Sequence, residues 1–558
     1  MNKNIYFYLF AGIFLFLIIK FYYHQRENKR NFLYKAKKHW GQIPEREYEY
    51  EEFERISHYF RNKEGITDSI DDITWNDLNM DHIFMLMNNT YSSIGEEYLY
   101  MILRTPLFDD KVLKERNRLS EFFGTHEEVR LKLQVIFAQM GRVKGISVSD
   151  YINRLHDVEN TGNGVHYSIL AATVLSFITI FIYPLIGIPL FILVLSYNIF
   201  QYYKLKGKVE AYFSCFGQIA KMLNYSKNIS KLGIDEIQEY TDEINKIFKE
   251  LATFRKGTVY LSANNMTGSP LDLIMDYVRI ITHIDLIKFN SMLKVFNNKK
   301  AVVERLLEVL GKLESGIAIA SFRENLEYYS YPEFVEEKKT KISFKDIYHP
   351  AIENPVVNSL EESQGVLVTG SNASGKSTFL KTVAINAILS QTIYTSLAKA
   401  YKANYFNIMS SMALQDDLMS NESYYIVEIK SLKRILDKVN EYRPILCCID
   451  EVLRGTNTIE RIAASGQILK SLAKENVICF AATHDIELTH MLENHYSNYH
   501  FQEEVVQNDI KFDYILYSGR AVSRNAIKLL SVLGYENIII EDANKSAENF
   551  LGTGIWAL

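Results

Sequence analysis

From Tyr167 to Phe200 the chain carries no charged side chain, and few folds can accept such a stretch. It is too long for one membrane span, which needs roughly 20 apolar residues, and too uniform for an amphipathic surface helix. Pro184-Leu-Ile-Gly-Ile-Pro189 interrupts it, so the expected form is a hairpin of two helices over 166–203, turning at those prolines. Arg154 precedes the stretch and Lys204, Lys206 and Lys208 follow it, which holds both ends on the cytoplasmic side. A helical hairpin buried in a water-soluble core is the rival reading, and helices this apolar on every face are rare there.

A second apolar run, Ile5 to Ile19, is extended by Phe21, Tyr22 and Tyr23 past Lys20, whose long side chain can reach the interface. The flank His24–Lys38 is basic and no small-x-small cleavage pattern follows, so the run reads as an entry helix rather than a signal peptide. The expected layout is a transmembrane helix over 1–24, a cytoplasmic linker over 25–70 and a helical domain over 71–165. The hairpin over 166–203, a second helical part over 204–340 and a C-terminal domain over 341–558 complete it. Val209, Phe213, Phe216, Ala220 and Leu223 recur at helical spacing, as expected of a packed core stripe. Leu271–Leu293 is nearly apolar enough for another span, but Asp272, Asp276, Arg279, Asp285 and Lys288 count against it. The net charge of −5 gives no sign of a dedicated nucleic-acid binder. Cys215, Cys447, Cys448 and Cys479 lack zinc-site spacing and read as reduced core residues.

The chemistry lies further on. Gly365-Val-Leu-Val-Thr-Gly370-Ser371-Asn372-Ala373-Ser374-Gly375-Lys376-Ser377-Thr378 is an apolar strand, then G-x-x-x-x-G-K-S, then a helix-compatible run. Glycines let backbone N–H groups turn toward phosphate oxygens, and a helix N-terminus adds its positive end. Lys376 is expected to reach the β- and γ-phosphates, and the Ser377 hydroxyl to bind Mg²⁺. A second strand, Ile445–Ile449, ends in Asp450-Glu451, where the aspartate would support Mg²⁺ and the glutamate polarise the attacking water. A third strand, Val477–Ala482, ends in Thr483-His484, and His484 could contact the γ-phosphate. The expected catalytic set is Glu451, His484 and Lys376, with Ser377 and Asp450 on the metal.

These motifs in this order resemble the MutS family of mismatch-repair ATPases. Gly370-Ser-Asn372-Ala-Ser-Gly-Lys-Ser-Thr378 is similar to the family's G-P-N-x-x-G-K-S-T. Asp416-Asp417-Leu418 through Ser423 to Glu428 is similar to its D-D-L-x-S-x-x-S-T-F-x-x-E, which implies that Ser423 acts on a partner subunit's nucleotide. Asp450-Glu451-Val-Leu-Arg454-Gly455-Thr456-Asn-Thr458, Ala482-Thr483-His484 and His349-Pro350 resemble further family segments. Upstream, Asn89–Gly95 with Leu103–Leu107, and Ser321–Phe334, resemble the start and return of its helical core. The resemblance implies an α/β P-loop (ABC-type) ATPase domain preceded by an α-helical MutS core/lever domain, here with three predicted transmembrane helices.

It also implies ATP and Mg²⁺ as cofactors, a homodimer that closes on ATP, and double-stranded DNA as a partner. The apolar segments add the lipid bilayer, with a multi-pass chain in the cell membrane and the ATPase domain in the cytoplasm. The chain departs from the family in three ways. The mismatch-reading domain has no expected place before the helical core, and Phe248-Lys-Glu250, Phe322-Arg-Glu324 and Phe334-Val-Glu336 match the Phe-x-Glu wedge in letters only. Pro355 stands near the expected adenine-stacking aromatic, and a hairpin interrupts the helical core. The leading expectation is therefore a membrane-anchored ATP switch in DNA-related work without direct mismatch reading. The alternative is a membrane-bound regulatory protein that drives an unknown protein partner and does not bind DNA. An ABC transporter half fits less well, because no L-S-G-G-Q segment is present.

Overall fold

The computed structural model describes residues 3–554 except 144–146, 157, 159–161, 253–269, 338, 372–373, 413–423, 442, 455, 507–508, 522–526, 528–529 and 531–533. The chain forms two compact units, one of residues 1–65, 88–101 and 118–324, the other of residues 66–87, 102–117 and 325–558.

The first unit is helical. Its N-terminal helix runs unbroken from Lys3 to Lys38, so the apolar run and its basic flank are one element rather than a span and a linker. Nothing in Phe21–Lys38 breaks a helix, and Lys35, Lys37 and Lys38 suit the negative end of the helix dipole. Trp40, just beyond, lies under the Arg130 guanidinium at 3.5 Å.

The hairpin helices are Gly164–Ile182 and Pro184–Ser230. Two features differ from the expected form. The chain turns at Tyr183 alone, because Pro184 takes the first helical position, where a fixed φ helps and a missing N–H costs nothing. Pro189 lies inside the second helix, which continues past Lys208 to Ser230. Near the turn the two helices approach closely: a Cβ on Gly187 would lie 2.6 Å from the Thr179 carbonyl. Around the hairpin the outer side chains are apolar and open, Phe181 74% and Leu185 93% exposed. Among the described residues two stretches are long and apolar enough to cross a membrane, Gly164–Ile182 and Pro184–Glu210. Beyond them the helix becomes amphipathic, and Phe213 and Phe216 pack against Phe289 at ring distances of 5.2 and 5.3 Å.

Of the segments with upstream family resemblance, Asn89–Gly95 and the start of Ser321–Phe334 meet in this unit. Asn89 donates to the Ser321 hydroxyl at 2.9 Å, and the Tyr91 and Ser92 amides donate to the buried Glu314 carboxylate at 2.6 and 3.0 Å. Beside them the buried Glu96 carboxylate gathers Arg46 (2.7 Å), Arg55 (2.5 Å) and Arg142 (2.9 Å). Of the Phe-x-Glu triplets, Phe248 and Phe322 sit inside the helices Gln238–Glu250 and Lys300–Asn325.

The second unit carries two sheets. Phe334 of the third triplet ends the short strand β1 (Glu333–Phe334), which joins β2 (Ile342–Ile347), β3 (Asn358–Glu362) and β5 (Ala400–Ala403) in the order β1-β5-β2-β3. The larger sheet contains β4 (Gly365–Thr369), β6 (Asn407–Ser411), β7 (Ile445–Asp450), β8 (Val477–Thr483), β9 (Tyr496–Val506) and β10 (Asp509–Ser518). Their order is β10-β9-β4-β8-β7-β6, parallel except for the β9–β10 pair. Strands buried on both faces read as continuous apolar runs, which is why Val366–Val368, Ile445–Ile449 and Val477–Ala482 stood out. One face packs Leu432, Ile435 and Leu469 against Cys447 and Cys479. On the other face Phe379 meets Phe480, and the Cys448 thiol faces the Leu380 carbonyl at 3.6 Å. All four cysteines are free and buried.

Residues 66–87 and 102–117 pack with the C-terminal half rather than with the helical unit. Asp77 accepts from the Ser410 hydroxyl (2.6 Å) and the Met412 amide (3.0 Å), and the Tyr405 hydroxyl reaches Asp110 at 2.6 Å.

Candidate functional site

Three parallel neighbours, β4, β8 and β7, end at one edge of the sheet. Their register sets Thr369 opposite Thr483 and Asp450 opposite Ala482, so the turns after them rise side by side. Open α/β sheets place ligands outside the carboxyl ends of such strands.

The turn after β4 is the glycine-rich loop. Gly370 has φ +148°, and a Cβ there would stand 2.8 Å from the Ser374 hydroxyl and 3.1 Å from the Phe501 carbonyl. Gly375 has φ +101° and caps the helix Lys376–Ile393, whose first turn presents backbone N–H groups. Ser377 and Thr378 are exposed and line a cavity of about 600 Å³. Its other walls include His349, Ile352, Pro355, Glu451 and Tyr514. Lys376 folds back onto the loop, donating to the carbonyls of Gly370 (2.9 Å) and Ser371 (2.7 Å). Burial pulls its ammonium below the usual lysine range, while Asp450 and Glu451 pull the other way. The Ser371 hydroxyl bonds the Glu503 carboxylate. Asn372 and Ala373 lie outside the described residues, as do residues 413–423 with Ser423, and Gly455.

The turn after β7 is strained. Glu451 and Leu453 both have positive φ, +57° and +61°, which costs non-glycine residues free energy and tends to occur at functional turns. The buried Glu428 holds this turn by accepting from the Leu453 amide at 2.5 Å. Both Glu451 oxygens are engaged, one by His484 Nε2 (2.9 Å), the other by Arg454 Nε (2.7 Å). The His484 hydrogen bond is the largest cause holding the Glu451 carboxyl below the usual range, followed among the favourable ones by the Arg454 charge. With Nε2–H directed at Glu451, the 3.4 Å separation of Lys376 from His484 is a contact without a shared proton. His484 is itself fixed through its neighbour, since Asp485 takes a bidentate pair from Arg461 at 3.0 and 2.6 Å.

Asp450 is buried, and its Oδ1 accepts no hydrogen bond among the described residues. An orphan carboxylate oxygen at the end of β7, close to the cavity that Ser377 lines, fits a divalent cation. No group of three or more His, Cys, Asp or Glu that could hold a metal occurs among the described residues. That donor set suits Mg²⁺, which keeps waters and phosphate oxygens and takes only one or two carboxylates from protein.

Two lining residues went unread in the sequence. His349, known only as half of a His-Pro pair, is driven down to about 4 by burial, then by Lys381 and His82, and so is neutral at pH 7. The buried Asn386 holds the neighbouring Tyr348 carbonyl at 3.1 Å. Tyr514 sits at a register break in the β9–β10 pair with φ +55°. Asn358 grips it from both sides, donating to the Tyr514 carbonyl (3.1 Å) and accepting from the Leu516 amide (2.7 Å). Its ring lies against Gly375, where a Cβ would meet it at 3.1 Å. No local pattern marks one tyrosine among Tyr514-Ile-Leu-Tyr517, because its role arises from pairing between strands and loops far apart in sequence.

Residues 366–551 match the family model described as MutS domain V. The DNA mismatch repair protein MutS of Thermotoga sp. (strain RQ2) is 28% identical over 271 residues, covering 47% of this chain and 33% of that protein. MutS protein homolog 4 of Mus musculus is 31% identical over 269 residues, covering 42% of this chain and 27% of that protein. The human MutS protein homolog 4 is 29% identical over 301 residues, covering 47% and 31%. The matched part is thus about a third of the length of these relatives.

Proposed function

We propose, from a chain that carries MutS domain V and resembles MutS proteins over its C-terminal half, that it is a membrane-anchored, Mg²⁺-dependent P-loop ATPase. The observation that carries this reading is convergence. Lys376, Glu451 and His484 follow three adjacent strands and converge beside one cavity, His484 2.9 Å from Glu451 and 3.4 Å from Lys376.

ATP would enter with its phosphates over Gly370–Thr378, and Lys376 would exchange two loop carbonyls for phosphate oxygens. Mg²⁺, held by Ser377 and Asp450, would supply charge neutralisation at the phosphates. Glu451, kept anionic by His484 and Arg454, is placed to orient a water, and His484 to follow the charge on the γ-phosphate. Ile352, Pro355 and Tyr514, all lining the cavity, would hold the base, with Tyr514 as the aromatic face that Pro355 does not provide. Ser423 is proposed to act on the nucleotide of a second copy, making the working form a homodimer.

The hairpin, with apolar side chains outward, and the N-terminal helix are proposed as the membrane anchor, leaving the nucleotide site in the cytoplasm. Its work is proposed to be DNA-related, as the names of its relatives suggest, without direct mismatch reading. The net charge of −5 favours a second reading, an ATP switch acting on a protein partner. Salt-dependent affinity of the purified full chain for duplex DNA separates the two, since phosphate contacts give a steep salt slope. For the ATPase itself, hydrolysis should require Mg²⁺, stop with EDTA and return on adding Mg²⁺. Undiminished turnover in EDTA would contradict it.

A further inference from the structure

We propose that the helix Pro270–Thr282 is embedded in the lipid bilayer beside the hairpin, as an additional membrane-inserted element held there by a buried polar cluster. This rests on the membrane reading of the hairpin given above.

The apolar stretch Leu271–Leu293 is two helices, Pro270–Thr282 and Ile284–Asn297, broken at His283, which takes a left-handed φ of +52°. The break is bound to the hairpin. Asn198, fully buried, donates to the Ile281 carbonyl (3.1 Å) and to Thr173 Oγ1 (3.1 Å), and its oxygen accepts from His283 Nε2 (3.1 Å). With Nε2–H so used, His283 Nδ1 accepts from His166 Nδ1 at 3.0 Å. His166 Nε2 lies 3.4 Å from the Asn290 amide nitrogen, which also donates to the Gly162 carbonyl (3.1 Å) and Asn163 Oδ1 (3.2 Å). This pattern is satisfied with both imidazoles neutral, and the charge that faces the two rings is the buried Asp285 carboxylate, which accepts from the Tyr202 hydroxyl.

These contacts set a depth. Asn198 lies six residues, or about 9 Å, inside Lys204 along its helix, on the side of the uncharged stretch. Ile281 and His283 therefore sit below the level of the first basic residue. Asp285 meets the Tyr202 hydroxyl (2.8 Å) and Asn290 meets the Gly162 carbonyl (3.1 Å), so the helix after His283 climbs toward the charged ends of the hairpin. The helix before His283 is left on the apolar side, packed against both hairpin helices. Its residues Tyr277, Val278 and Ile281 are exposed, as are the outer apolar side chains of the hairpin helices it packs against. Of Asp272, Asp276 and Arg279, the charges this helix carries against a span, Asp276 and Arg279 neutralise each other at 3.0 Å.

The test places single nitroxide labels at Tyr277→Cys and Val278→Cys in the full chain, in phosphatidylcholine vesicles. Phe181→Cys on the hairpin and Glu236→Cys, an exposed site beyond it, are references. Collision with oxygen, which concentrates in lipid, is compared with collision with a water-soluble nickel chelate. The expected oxygen-to-nickel ratio at 277 and 278 matches position 181 and exceeds position 236 several-fold. A ratio like that of 236, with 181 lipid-like, would overturn the proposal and leave the hairpin reading intact. Protection from both reagents would overturn it in favour of a protein covering. A water-like ratio at 181 would overturn both readings.

Discussion

Glu451 spends both carboxylate oxygens on His484 and Arg454, in a backbone conformation that costs free energy to hold. Such an arrangement keeps the carboxylate charged and aimed, and its removal should be felt in turnover rather than binding. Glu451→Gln is expected to bind ATP and to hydrolyse it about 100-fold or more slowly, the span of a lost general base. Filter binding and phosphate release check it, and wild-type turnover would contradict it. Lys376, Ser377, Asp450, Glu451 and His484 could be named as candidates from the sequence because strand, turn and residue type coincide locally, and the fold brings the turns that carry them to one sheet edge. Tyr514, Asn358 and Glu428 were not chosen as site residues, because their placement depends on strands and turns that meet only in the fold. A second residue-scale prediction concerns Glu314. Burial raises its carboxyl to about 7 against the ordinary 4.5, opposed by hydrogen bonds from Ser92 and Tyr91. The folded state therefore binds the extra proton, and stability is full below about 4.5, falls as pH rises, and levels off above about 7. Thermal unfolding of the helical unit followed by circular dichroism should lose that pH dependence in Glu314→Gln. Gly95 faces the same carboxylate, and a Cβ would lie 2.2 Å from it, so Gly95→Ala should cost about 1–3 kcal/mol through overpacking.

The hairpin shows how far composition reads elements. An uncharged stretch with basic flanks revealed that two apolar helices exist, yet the turn was placed across Pro184–Pro189 rather than at Tyr183. Proline marks a helix start as readily as an end, and the sequence alone does not say which. The second helix ran on to Ser230 because lysines are good helix formers and charge does not end a helix. The N-terminal helix passed its expected end for the same reason. Moving the turn changes a length that matters: 19 residues in the first hairpin helix give about 28 Å, close to a full hydrocarbon core. A full crossing with the turn on the far side is the predicted form. An impermeant thiol reagent added outside intact cells should label a cysteine at Tyr183 but not one at Lys206. Labelling at neither would mean a hairpin that stops inside the bilayer.

At the scale of the whole molecule, a helical unit that carries the apolar hairpin and a unit that carries the nucleotide site are joined where the chain passes between them, near residues 65, 87, 101, 117 and 324. The ATP-driven switch is expected to show in assembly: Glu451→Gln with ATP should sediment in detergent as a dimer, and Lys376→Ala with ATP as a monomer. Equal behaviour of the two variants would remove the dimer from the account. The proposed function makes one chain at once a protein anchored in the cell membrane and an ATPase on its cytoplasmic side. Inside-out cell-membrane vesicles, washed with alkaline carbonate to strip peripheral proteins, test both parts in one assay of Mg²⁺-dependent phosphate release from added ATP. Vesicles carrying the wild-type chain should release phosphate above those carrying equal amounts of Lys376→Ala, with the protein retained in the membrane pellet. Protein in the wash, or equal release from the two sets of vesicles, would contradict it.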